Sequence, residues 1–221
     1  MAELNYFKFY IGKKLFARRF RAVLRQLGGP VLDIGAGAAP FRKFLQPLRV
    51  VTVDVDPRLR PDIAASVIRA PFRAGVFASV ICTEVLEHVA EPGPCLKEIH
   101  RTLKPGGLLY LTAPMMWPLH YEPHDFYRYT RYGLEYMLKK EGFHVLETVP
   151  VGGLFSFIFM RLGEKLFNLV HKIAFFIPKS LRRFWTVPLT LPLFHVLYLL
   201  SLVLDPLMKK DVFAWSVLAQ K

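Results

Sequence analysis

Cysteine is scarce in this sequence. Cys82 and Cys95 are the only two, too few for a disulfide framework and without the clustered spacing of a metal-thiolate site, so a reducing compartment is the default. Acidic residues are also few, 17 against 30 lysines and arginines, and the net charge of +13 points toward phosphate-bearing partners such as nucleic acid or anionic lipid. An uninterrupted apolar run near the N-terminus is lacking as well, because Lys8, Lys13 and Lys14 break it, and no secretory signal is expected. What the chain does have is apolar surface. At 53% hydrophobic and 14% aromatic residues it must bury a core, which excludes a disordered chain. Its 221 residues suit one well-buried domain with an appendage, not two full enzyme domains.

The charge is unevenly spread. Residues 1–29 carry seven basic side chains against Glu3, and residues 151–221 carry nine against Glu164, Asp205 and Asp211, a net of +6 each. The middle, 30–150, is left with +1. The basic character therefore belongs to the flanks.

In the middle, Val31-Leu32-Asp33-Ile34 is a short apolar run that breaks into Gly35-Ala36-Gly37-Ala38-Ala39-Pro40. This reads as a buried strand, a glycine turn, and a helix opened by Pro40 at its first position. A second strand, Val50-Val51-Thr52-Val53, ends at Asp54, 21 residues after Asp33. Glycines let a backbone approach a ligand, and a carboxylate at the next strand tip accepts hydrogen bonds from ribose hydroxyls, so a nucleoside ligand is expected. The nicotinamide fingerprint needs a third small residue where Pro40 stands, and an acid two residues before Gly35 would repel a pyrophosphate. The same acid would pair with an ammonium group. The ligand expected is a nucleoside joined to an amino acid.

With Asp33-Ile34-Gly35-Ala36-Gly37, Asp54, Thr83-Glu84-Val85-Leu86-Glu87-His88-Val89 and Leu103-Lys104-Pro105-Gly106-Gly107 in this order, the sequence resembles the class I S-adenosylmethionine-dependent methyltransferases of the type-11 group. The resemblance runs from about Val31 to Glu147 and resumes at the C-terminus. It implies an α/β fold with a Rossmann-like, seven-stranded, mostly parallel sheet. It also implies S-adenosylmethionine as cofactor, with Asp33, Gly35, Ala36 and Gly37 at the methionine end, Asp54 and Val55 at the ribose, Ser66 and Val67 near the adenine, and Thr83 and Glu84 at the reactive end. The sequence departs from the pattern in three places: Ser66 stands where an acid usually contacts the adenine, Ala78 where an acid starts strand four, and Ala39 at the third glycine. Glu87 and His88 read equally well as an exposed helix start.

Methyl transfer is an in-line displacement that needs alignment in a water-poor site, and a hydroxyl or carbon acceptor also needs a base. The densest run of titratable and aromatic residues is Pro114–Thr130, after strand five, where doubly wound folds bind ligands. His120 or His124 is the expected base, with Asp125 orienting it or polarising a substrate hydroxyl, and Tyr127 and Tyr129 shaping the pocket. The competing reading has His124-Asp125 capping a helix from Tyr132 to Glu141 and the tyrosines in the core. The spacing His120-x-Glu122-x-His124 suits a metal, but methyl transfer needs none and no metal is expected. Nucleic acid is disfavoured as acceptor: no Asn-Pro-Pro-aromatic motif follows strand four, and Cys95 falls too late to be a cytosine nucleophile.

The flanks read differently. In 1–29, Leu4, Phe7, Ile11, Leu15, Phe20 and Leu27 recur at helical spacing between basic residues, an amphipathic helix for the core or for anionic lipid. Phe143–Pro150 reads as strand six and residues 211–221 as the last strand, which makes 151–210 a hydrophobic helical insertion before it. Its uncharged run Phe184–Leu204, preceded by Lys179, Arg182 and Arg183, would reach ~30 Å as a helix. Both ends return to one sheet, and Pro188 and Pro192 are expected to break the run, so a monotopic surface helix on the inner face of a membrane is expected rather than a single crossing. The expected function is methyl transfer to an oxygen or carbon of a lipophilic or membrane-held acceptor, a quinone precursor or lipid-linked saccharide. A non-catalytic cofactor-binding membrane adaptor is the alternative.

Overall fold

The computed structural model describes residues 10–46, 48–173 and 179–221, with the backbone alone at 171 and 179–189. Leu4, Phe7 and Lys8 of the expected N-terminal helix, and residues 174–177 of the insertion, lie outside the described residues. The elements are α1 (Tyr10–Val23), β1 (Val31–Ile34), β2 (Val50–Asp54), β3 (Ile63–Ala64), β4 (Phe77–Thr83), α2 (Pro92–Thr102), β5 (Leu103–Pro114), α3 (Arg131–Lys140), β6 (His144–Gly153), α4 (Leu154–Ile173), α5 (Lys179–Leu204) and β7 (Val212–Gln220). The strands form one seven-stranded sheet in the order β3-β2-β1-β4-β5-β7-β6. β1 to β5 are parallel and β7 runs antiparallel to β5. This is the Rossmann-like α/β sheet that the resemblance implies. The chain divides into two compact units, one of Arg19–Pro150 with Ala214–Lys221, the other of the chain up to Arg18 with Val151–Phe213.

In the first unit all four residues of β1 are buried, as a central parallel strand covered on both faces requires. Leu32, Ile34, Val80, Leu109 and Leu111 pack on one side with Leu96 and Ile99 of α2 and Leu134 and Leu138 of α3. On the other side Phe20 packs against Phe41 and Tyr110, with ring centroids 4.5 and 5.4 Å away. α3 is capped by Thr130, whose hydroxyl accepts from the Gly133 amide at 3.1 Å. The cap is therefore Thr130, not His124-Asp125, which stands too far upstream to reach the orphan amides of the first turn.

No α-helix opens at Pro40. A single 3-10 turn, Arg42–Phe44, follows the glycine loop. Ala39 sits at φ +48°, outside helical space, and in the sequence Pro47 disfavours the helical region at Gln46, so the stretch between them is too short to nucleate.

The second unit is helical. Asp205 closes the start of α4: its carboxylate accepts from the Gly153 amide at 2.8 Å and from the Ser156 amide and hydroxyl at 3.0 and 2.5 Å. These are the donors a helix leaves unsatisfied at its first turn. Gly163 of α4 faces Phe194 of α5 so closely that an added Cβ would lie 2.3 Å from the ring. Pro188 and Pro192 do not break α5, which runs through both. An interior proline removes one backbone hydrogen bond and bends a helix, and the apolar residues around it can keep the helix going.

Candidate active site

The C-terminal edge of the parallel strands carries two polar clusters. The first lies between β1 and β2. Gly35 and Gly37 stand at φ +63° and +53°, where L side chains are strained, and a Cβ on Gly35 would lie 2.4 Å from Val85 Cγ2. Around Gly37 the space is open. The Gly37 amide donates to Asp54 Oδ2 at 2.8 Å, the Asp56 amide to Asp54 Oδ1 at 2.9 Å, and the Ala36 amide to the Val53 carbonyl at 3.1 Å. The two strand tips are thus tied by backbone donors to one carboxylate. Asp33 is buried beneath this turn, and its Oδ2 has no hydrogen-bond partner. Burial first, and the nearby Asp54 charge second, push its carboxyl up to about 7.

The remaining residues expected at the cofactor are placed unevenly. Val55 follows Asp54 and is 69% exposed, an open apolar surface at a strand tip. Ser66 is exposed beyond β3 and its hydroxyl accepts from the Ile68 amide at 3.4 Å, while Val67 is half-buried against the core. Thr83 ends β4, and Glu84 follows it at φ +54°. Glu84 Oε1 accepts from the Thr112 hydroxyl at 2.9 Å, and burial pushes its carboxyl up to about 7. A glutamate held in the left-handed region is backbone strain of the kind that clusters at functional sites.

The second cluster joins the turn after β4 to the 115–130 loop. Arg128 organises it. Its guanidinium donates to both oxygens of Asp125 at 2.7 and 2.8 Å and to the carbonyls of Trp117 and Pro118, each at 2.9 Å. The Arg128 guanidinium beside it holds the Asp125 carboxyl well below the usual carboxylate range. Asp125 Oδ2 also accepts from the His120 amide at 2.9 Å and lies 3.3 Å from His120 Nδ1, so this aspartate does hold this imidazole. Burial lowers the His120 pKa, partly offset by Asp125.

His124 is placed elsewhere. Its ring is exposed, and only its carbonyl joins the cluster, 2.6 Å from His88 Nδ1. Of the two tyrosines, Tyr129 is core, its hydroxyl donating to the Leu86 carbonyl at 2.9 Å, and Tyr127 donates to the Ala90 carbonyl at 2.8 Å. Glu87 and His88 are not an exposed helix start: they lie in the 3-10 turn Leu86–His88, with Glu87 fully buried. The reason is tertiary. The Phe126 amide donates to the Glu87 carbonyl at 2.8 Å, so the loop folds over the turn. Burial, and then the neighbouring Glu84, push the Glu87 carboxyl well up. Sequence reading passed over Glu87, His88 and Arg128 as site residues. The available signal was an acid set between apolar Leu86 and Val89.

The family model described as a methyltransferase domain matches residues 32–111. Residues 32–111 are a type-11 methyltransferase domain of the S-adenosylmethionine-dependent class. A ubiquinone biosynthesis O-methyltransferase of Xanthomonas axonopodis pv. citri is 32% identical over 109 residues, 42% of this chain and 46% of that protein. The chain thus spans about half the length of the curated relatives it matches. Among solved structures, an S-adenosylmethionine-dependent methyltransferase from Archaeoglobus fulgidus superposes with a TM-score of 0.62 at 14% identity, over 94% of each chain. Phosphoethanolamine N-methyltransferase 2 from Haemonchus contortus, in complex with S-adenosyl-L-methionine, superposes with a TM-score of 0.60 at 17% identity, covering 92% of this chain and 52% of that one. At such identities the superpositions establish the fold.

The domain's residues fit the cofactor its class uses. The orphaned Oδ2 of Asp33 is a buried anion with a vacant acceptor, suited to an ammonium group. The Gly35 position excludes any side chain that would fill the turn, and open space borders Gly37.

Proposed function

We propose that this chain transfers the methyl group of S-adenosylmethionine to an oxygen or carbon of a lipophilic or membrane-held acceptor. The observation that carries the transfer is the cradle of Asp33, Gly35, Gly37 and Asp54, in which a buried carboxylate oxygen lacks the partner that every other feature of the turn is arranged to admit. When bound, S-adenosylmethionine supplies a methyl carbon activated by the adjacent sulfonium. Asp33 and the Gly35-Ala36-Gly37 backbone hold the methionine end. Asp54, already fixed by the amides of Gly37 and Asp56, keeps further lone pairs for ribose hydroxyls. Val55 and Val67 offer apolar surface to the base, Ser66 a single hydroxyl, and Thr83 and Glu84 border the reactive end. His120, oriented by Asp125, takes the acceptor's proton, with His124 in reserve only as a carbonyl that orients His88.

A lipophilic acceptor is supported by the helical unit. On α4, Ile158, Leu162, Leu169 and Ile173 are exposed on one face, and on α5, Val196, Leu199, Leu200 and Val203. Stripes of this kind are uncommon on a water-facing surface, and exposed Lys165, Lys172, Lys209 and Lys210 supply charge for anionic headgroups. Thr190–Leu207 has a mean hydropathy of 1.6 with 22% of the window buried, one segment among the described residues long and apolar enough to cross a membrane. The likeness to a ubiquinone biosynthesis O-methyltransferase supports an oxygen acceptor of low polarity. Calorimetry with S-adenosylmethionine, followed by a screen of lipid extracts with methyl-labelled cofactor, tests the reading. Micromolar binding and a labelled lipid product are expected. Binding without product under all extracts would favour the non-catalytic adaptor, which Ser66 and Ala78 support, and no binding would end both.

A further inference from the structure

Glu87 holds a buried carboxyl without partners. Its side chain is fully buried, and neither carboxylate oxygen has a hydrogen-bond partner. A buried carboxylate in that condition costs several kcal/mol unless a cation meets it. Two imidazoles stand beside it. His88 Nε2 is 3.8 Å from Glu87 Oε1, and one ligand atom from each of Glu87, His88 and His120 lies within 4.8 Å of the other two. The His88 and His120 ring centroids are 4.7 Å apart.

Both imidazoles are already oriented by their other nitrogen. His88 Nδ1 lies 2.6 Å from the His124 carbonyl, and His120 Nδ1 lies 3.2 Å from the Pro118 carbonyl and 3.3 Å from Asp125 Oδ2. All three partners are acceptors only, so each Nδ1 carries the hydrogen and each Nε2 is left with its lone pair. A metal-bound histidine is arranged in the same way, donating its second nitrogen to a carbonyl or carboxylate. Asp125 is in turn fixed by Arg128, so both histidines have an outer layer of partners.

We infer that Glu87, His88 Nε2 and His120 Nε2 bind one divalent transition-metal ion of the zinc type. Two nitrogens and one oxygen suit Zn2+, Co2+ or Ni2+ and not Mg2+ or Ca2+, which require mostly oxygen ligands. Ligand atoms around a ~2.1 Å site stand roughly 3.4 Å apart, so the trio closes slightly on binding. Three protein ligands leave a fourth position for water or an acceptor hydroxyl, which the ion acidifies, its proton passing to solvent water. With the ion bound His120 is a ligand, and without it a base.

The test uses the full, tag-free chain stripped with chelator and titrated with Zn2+ by calorimetry and with Co2+ by visible absorption. One ion per chain at micromolar affinity or tighter is expected, with the intense visible bands of four-coordinate Co2+. His120→Ala, His88→Ala and Glu87→Gln should each weaken Zn2+ binding at least tenfold, and His144→Ala, on exposed β6 surface, should leave it unchanged. No uptake, uptake below one ion per chain, or equal affinity in the three ligand variants would overturn the site. Should a variant fail to fold by circular dichroism, the Co2+ spectrum of the parent chain decides, since weak octahedral bands contradict a three-ligand site with one open position. Ion binding is read without turnover, so an inactive chain that takes up one ion supports this site while sinking the transferase reading.

Discussion

The two ends of the sheet's C-terminal edge handle polarity in opposite ways. Between β1 and β2 the work is done by backbone: glycines at positive φ, amides aimed at Asp54, and one buried carboxylate awaiting a partner. Between β4 and the 115–130 loop it is done by side chains, with Arg128 stapling Asp125 and three carbonyls while Glu87, His88 and His120 gather beneath. Backbone recognition accepts a ligand of fixed shape and tolerates little change in sequence. A side-chain cluster is adjustable in pKa and ligand, as an acceptor site serving varied chemistry would need. The first end should therefore govern binding and the second turnover.

Substitutions can break that division. The largest effect is expected from Gly35→Val, which drives a side chain into Val85 at a left-handed backbone position: a loss of roughly 3–5 kcal/mol in stability and of measurable cofactor binding, by thermal denaturation and calorimetry. Gly37→Ala, with open space around it, should cost only about 1 kcal/mol and so separate strain from clash. Arg128→Met leaves Asp125 buried without its cation and should cost about 3 kcal/mol, with turnover falling at least tenfold and cofactor affinity within twofold of the parent. If cofactor affinity falls as far as turnover, the two ends are not separable.

Asp33→Asn is a smaller change with a signature in pH. Because the native carboxyl titrates near 7 and the unfolded one near 4, the native state holds the extra proton between these values. The parent's stability is then fully present below about pH 4, declines as pH rises toward 7, and is flat above, a loss of at most roughly 4 kcal/mol. Asn carries no such cost, so the variant should be the more stable protein at pH 8 and not at pH 4, by denaturant unfolding. Its cofactor affinity should fall by ten- to a hundredfold, since a charged partner is lost. A variant that binds as well as the parent would remove Asp33 from the site. The mildest effect is expected from Val203→Glu, on the exposed stripe of α5: stability within about 0.5 kcal/mol, and several-fold weaker partition onto anionic vesicles by sedimentation.

The β1–β2 end was legible in the sequence because its determinants are local. An apolar run, two glycines and an acid after the next apolar run specify strand, turn and strand tip within a few residues of one another. The insertion was legible for the same reason, as apolar helix-length segments between two strands. Local reading failed where a proline rule was pressed too far: Pro40 opened no helix, and Pro188 and Pro192 ended none. It failed again at Glu87, which looks exposable until a loop 39 and 40 residues further on folds its Phe126 and Tyr127 amides onto the Glu87 carbonyl.

By itself the sequence determined the sheet, the identity of the domain and the glycine turn between β1 and β2, because burial pattern and turn chemistry act over short distances. Only the tertiary structure decided which imidazole meets Asp125, since the His120 ring lies against it and the His124 ring is exposed, and only it brought Glu87 and His88 to His120. Such meetings depend on long-range closure of a loop over a turn, and no spacing along the chain encodes the distance between side chains so far apart in sequence.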